Sequence, residues 1–152
     1  MIILIICFEV VYNLTKRKYA YEKTADFFSQ EENFDVLFFG SSHMMNGVFP
    51  MQLWNDYGIV AYNMGNPSES ISTTYYNMLL SQEHTNSELI VIDGWSTIFN
   101  KKIIMDEEHI HNSLDAYPIS YTKYLTIKNI FDEKNILERE VEFLFNFSLY
   151  HS

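Results

Sequence analysis

Asp35-Val-Leu-Phe-Phe-Gly-Ser-Ser-His43 is the stretch that decides the fold. Val36 to Phe39 is continuously apolar, the composition of a short strand covered on both faces in a parallel sheet. Gly40 stops the run, two hydroxyls and an imidazole follow at once, and Gly47 and Pro50 come soon after. The pattern is a strand feeding a tight turn that displays a hydroxyl at the mouth of an α/β sheet. Nucleophiles and anion-binding groups often occupy that position.

The flanking sequence repeats the alternation. Tyr19 to about Gln30 has helical composition without a breaker, and residues 30–33 form a polar hinge. Phe49–Tyr57 places Phe49, Leu53 and Trp54 on one helical face and meets a helix-stop glycine at Gly58. Ile59–Asn63 is a second short strand, closed by Gly65 and Pro67. Ser68 or Ser70 is placed to cap a helix running to about Gln82, with Tyr75, Met78 and Leu79 expected to face inward. Leu89–Asp93 is a third strand, ended by Gly94. Strand and helix alternating at this spacing imply right-handed crossovers and a parallel α/β sheet. Ser42, Gly65 and Asp93 then all fall at the carboxyl ends of strands, the edge where open sheets bind ligands.

Beyond Gly94 the pattern changes. Residues 100–114 are polar and poorly periodic, and residues 118–132 and 133–147 read as helices or interface segments. No fourth strand is evident. Three parallel strands leave exposed edges and an incomplete core. The expectation is a fragment, or a truncated product, of a longer protein: an anchor segment and connecting helix over 1–30, and a partial α/β domain over 31–152.

A chain of 152 residues with 47% hydrophobic and 16% aromatic residues suits one folded domain. Its formal charge of −10 is uneven: residues 1–23 carry +2 and the remainder −12. The acidic part repels phosphate backbones, so nucleic acid is not expected as a partner. Lys16-Arg17-Lys18 would be drawn to an anionic bilayer. Cys7, the single cysteine, excludes an internal disulfide framework and a Cys-rich zinc site. Residues 1–14 are apolar apart from Glu9 and Asn13, yet shorter than the roughly 20 residues of a bilayer span. Three readings stand: the tail of a membrane anchor, which is favoured; a buried first helix; or an interfacial anchor. The basic cluster beside the run argues against a simple outward-facing anchor, because flanking positive charge stays cytoplasmic.

Phe39-Gly-Ser-Ser-His43, then Ala61-Tyr-Asn-Met-Gly65, then Leu89-Ile-Val-Ile-Asp93 resemble the GDSL/SGNH hydrolase-like superfamily. The resemblance covers about residues 35–95 and is nearest to a membrane-anchored bacterial branch that modifies exopolysaccharide or teichoic acid, with Gly-Ser-Ser in place of Gly-Asp-Ser. It implies a flavodoxin-like (SGNH-type) parallel sheet with flanking helices, incomplete in this chain. It implies serine-dependent acyl transfer or ester hydrolysis on a cell-surface glycan, at the extracytoplasmic face of the membrane, with an acyl donor and a membrane-bound acyltransferase as partners. Ser42 would be the nucleophile. Its own N–H and that of Gly65 would hold the oxyanion, with Asn66 as a further donor. The physical reading agrees: a serine at a helix N-terminus has unpaired N–H groups beside it and the positive dipole end behind them. A side chain at residue 65 would obstruct substrate.

Other readings accompany these residues. Ser41-Ser42 also reads as a plain helix N-cap. His43, next to Ser42, suits packing or substrate contact better than the role of base. The family's Gly-x-Asn block is not recognisable, and its C-terminal Asp-x-x-His base is not in position. Asp106-Glu-Glu-His109 has the literal spacing but follows the third strand directly and reads as a solvated loop. His109 and His111 lack a third ligand, so no metal is expected, and no other cofactor. Asp93 is placed to cap the next turn. Trp54 and Trp95 suit a sugar face, though core packing is the commoner role. The alternative function is a non-catalytic glycan-binding or assembly partner that keeps the fold.

Overall fold

The structure, a computed structural model, describes residues 10, 18–31, 33–95 and 113–130. The apolar run before residue 10, the Asp106–His109 stretch and the segment 133–147 lie outside the described residues. Among the described residues no helix is long and apolar enough to cross a membrane.

The element order is α1 (Lys18–Ser29), β1 (Val36–Phe39), α2 (Ser42–Gly47), α3 (Pro50–Tyr57), β2 (Ala61–Asn63), α4 (Ile71–Gln82), β3 (Leu89–Ile92) and α5 (Tyr121–Ile130). Both pairings of the sheet are parallel, in the order β2-β1-β3, so the short strands expected around 36–39, 59–63 and 89–93 all form. Val36 stands opposite both Ala61 and Leu89, and Phe39 opposite Ile92. The chain leaves β1 to one side for β2 and returns to the other for β3. The strand order therefore reverses at β1, the topological switch point beside which open α/β sheets bind ligands.

Local chemistry explains the elements. Pro50 opens α3 at a position that needs no N–H, and Gly58 closes it in the left-handed conformation (φ 70). Ser70, rather than Ser68, caps α4 by accepting from the Thr73 N–H at 3.2 Å. In α1, Thr24 and Phe27 share the buried face, and the helix ends where Ser29 Oγ donates to the Asp26 carbonyl at 2.7 Å.

The core lies on one face of the sheet. Leu37 and Phe39 of β1 meet Phe27 and Phe34, Met64, Leu80, Leu114, Tyr117 and Ile127. Phe27 stacks on Phe34, with ring centroids 5.4 Å apart, and meets Tyr62 edge-on at 5.2 Å. Val36 and Phe38, pointing the other way, are half-buried. Among the described residues the apolar run of β1 is thus fully covered on one side and half-covered on the other, where full two-sided cover was expected. Period-2 geometry separates the two sets, and a continuous apolar run does not reveal which face is covered.

Two helix faces also differ from expectation. Trp54 is 52% exposed, no residue of α3 is buried, and only Leu53 of its expected inner face is half-covered. In α4 the buried positions are Thr73, Thr74, Asn77, Leu80 and Ser81, while Tyr75 is 50% exposed and Met78 only borders the core. The inner side of α4 is polar because it faces buried polar partners: Ser81 Oγ lies 3.1 Å from the Tyr117 hydroxyl.

Candidate functional site

Ser41 closes the corner above β1. Its side chain caps α2, accepting from the His43 N–H at 3.4 Å, and its hydroxyl donates to Asp93 Oδ2 at 2.6 Å. The second Asp93 oxygen accepts the Trp95 N–H at 2.8 Å, the turn-capping role expected of an Asp at a strand end. Burial works against the Asp93 carboxylate. The Ser41 hydroxyl, the Trp95 and Ser41 N–H groups and nearby His43 outweigh it and hold its pKa below the ordinary range. Gly40, at φ 147, lets the two strand ends meet: a Cβ there would collide with Asp93 Cβ.

Ser42 is the first residue of α2, half-buried, and its hydroxyl has no hydrogen-bond partner among the described residues. The helix behind it is six residues long, so the aligned dipole expected there is a small one. His43 is exposed. Its Nδ1 lies 3.3 Å from Ser41 Oγ and its ring sits 4.5 Å from that of Trp95. Trp95 is 47% exposed and therefore not a core residue.

The turn after β2 comes to the same corner. Met64 N–H donates to the Phe38 carbonyl at 2.8 Å and Asn66 N–H to the Gly40 carbonyl at 2.9 Å, extending the β1–β2 ladder. Gly65 lies against α2: a Cβ there would stand 2.7 Å from the Met45 nitrogen. Its N–H donates to Asn63 Oδ1 at 3.0 Å. The Asn66 side chain, 5% exposed, accepts from Lys23 Nζ at 2.8 Å and donates to Glu69 Oε2 at 2.8 Å. Ser42, His43, Gly65 and Asn66 are thus gathered at one corner, with the Gly65 and Asn66 donors engaged inside the protein.

Four residues of this corner carry roles that reading the sequence did not assign. Asn63 Nδ2 donates to the carbonyls of Met44 and Val48 at 2.9 and 3.0 Å, satisfying the end of α2. An asparagine ending a strand, where its type is depleted, was the available signal. Ser41 links β1 to β3. Lys23 and Glu69 hold the turn from beneath. Burial lowers the Lys23 pKa from 10.5 to about 8, the Glu69 charge opposing it. Burial also raises Glu69 from 4.5 to about 7, against the hydrogen bond from Asn66, the polar side chains of Asn77 and Thr74 nearby and the charge of Lys23.

No group of three or more His, Cys, Asp or Glu side chains is placed to hold a metal among the described residues. Two cavities of about 190 and 440 Å³ share Phe28, Tyr117 and Pro118 in their walls and include no residue of the Ser42 corner. Comparison with protein-family models, with curated proteins and with solved structures finds no match.

Proposed function

We propose that the chain is an SGNH-type domain of flavodoxin-like architecture, and that the intact protein carries out serine-dependent O-acyl transfer or ester hydrolysis on a cell-surface polysaccharide or teichoic acid. It would act at the extracytoplasmic face of a bacterial membrane. One observation carries this reading. Ser42 is half-buried, its hydroxyl is uncommitted among the described residues, and it stands at the carboxyl end of the central strand, where the strand order reverses. In the proposed chemistry Ser42 Oγ attacks an ester carbonyl and the alcohol leaves. The acyl group then passes to a sugar hydroxyl or to water. No base for the Ser42 proton is identified among the described residues. His43 is turned toward Ser41.

A second reading has its own support. The Gly65 N–H is taken by Asn63, the Asn66 N–H by Gly40, and the Asn66 carboxamide by Lys23 and Glu69. An oxyanion hole needs donors free to face the reacting oxygen. A non-catalytic glycan-binding or assembly protein needs only the corner. A fluorophosphonate probe separates the two. Labelling of the folded chain that disappears in Ser42→Ala supports the enzyme, and a folded chain that stays unlabelled supports the binding protein.

A further inference from the structure

The Gly65–Asn66 turn is gripped from two sides. On one side it touches α2, where the Met45 nitrogen leaves no room for a Cβ on Gly65. On the other, Lys23 Nζ rises from α1 and donates to the Gly65 carbonyl at 2.5 Å and to Asn66 Oδ1 at 2.8 Å. Asn66 passes the contact on to Glu69, which is 4% exposed and also accepts from Ser113 Oγ at 3.4 Å. Tyr62 fixes the same turn of α1, donating to the Lys23 carbonyl at 2.7 Å and to Asp26 Oδ2 at 2.8 Å.

Desolvated charge of this kind is a poor source of stability, since apolar side chains of similar volume often serve as well or better. What the ammonium supplies is direction. It reaches one backbone carbonyl and one side-chain oxygen of adjacent residues, fixing the orientation of the turn between them. Close-packed interiors transmit such constraints, and the element on the far side of the turn is the helix that begins with Ser42.

We propose that Lys23 is a positioning residue for the Ser42 corner: through Gly65 and Asn66 it sets where the turn after β2 stands against the start of α2. The functional half of this inference rests on Ser42 being the reactive hydroxyl. The geometric half does not. Burial lowers the Lys23 pKa and raises that of Glu69, as expected of groups held away from water.

The test is Lys23→Met in the full 152-residue chain. Two quantities are read: amide hydrogen exchange by NMR, and the rate of fluorophosphonate labelling at Ser42 per folded molecule. Losing a hydrogen bond to a charged donor should speed exchange at Gly65 and Asn66 by about ten-fold or more. Exchange at Leu37–Phe39 should stay as in the wild type, labelling should slow by a similar factor, and Lys23→Arg should recover part of both. Unchanged exchange at residues 65 and 66, or loosening spread evenly over β1 and β3, overturns the proposal. If the wild type does not label at all, the Ser42 reading fails while exchange still decides the role of Lys23. If Lys23→Met does not fold, Glu69→Gln replaces it. Local loosening of the same two amides supports the network, and wild-type exchange there overturns it.

Discussion

The Ser41 hydroxyl and the Asp93 carboxylate, 52 residues apart, meet at 2.6 Å and join the carboxyl end of β1 to that of β3. The same hydroxyl oxygen caps α2. Ser41→Ala removes both contacts and should destabilise the chain by about 1–3 kcal/mol in urea unfolding, the combined scale of an N-cap and a hydrogen bond to a charged group. In a double-mutant cycle with Asp93→Ala the two losses should be clearly less than additive. Additive losses would show that the contact contributes nothing to the link between the strands.

Glycine substitutions should separate sharply by position. Gly40→Ala drives a methyl into Asp93 Cβ with a backbone at φ 147, and Gly65→Ala meets the Met45 nitrogen at 2.7 Å. Each should cost about 1–3 kcal/mol or more, because backbone and strand ends must move. Gly47 ends α2, and a methyl added there would meet nothing within 4 Å. Gly47→Ala should be neutral or stabilising by about 0.4–1 kcal/mol. Thermal unfolding of the three variants side by side checks the order, and equal losses would contradict the close approach at residues 40 and 65.

The Lys23–Glu69 pair gives the stability a defined pH dependence. Glu69, raised from 4.5 to about 7, binds more proton when folded than when unfolded between those values. Its contribution is therefore present at the acid end and is lost as pH rises through about 7. Lys23, lowered from 10.5 to about 8, acts in the opposite sense: the unfolded chain binds more proton between those values, so stability is regained as pH rises from about 8 to 10.5. The difference in melting temperature between wild type and Glu69→Gln should slope across the first window. Parallel curves there would mean that Glu69 ionises as an ordinary exposed acid.

Much of this fold is written in short local signals. Apolar runs stopped by Gly40 and Gly94 mark β1 and β3, Pro50 and Gly58 bracket α3, and Ser70 opens α4. The corner at Ser42 is legible for the same reason, since its members follow strand ends. What could not be read is burial that is polar. Thr74 and Asn77 point inward while Tyr75 points out, because their neighbour is Glu69 rather than an apolar surface. Apolar periodicity is blind to such a face. Lys23 and Asp93 act through partners 43 and 52 residues distant, which no local spacing encodes.

The reactive hydroxyl is tested most directly by treating the folded chain with an activated acetate ester and mapping the acetyl group by peptide mass spectrometry. Acetylation of the peptide containing Ser42, lost in Ser42→Ala and suppressed by prior unfolding, is the expected result. Acetyl groups found only on lysines, or on Ser42 equally in the unfolded chain, would contradict it.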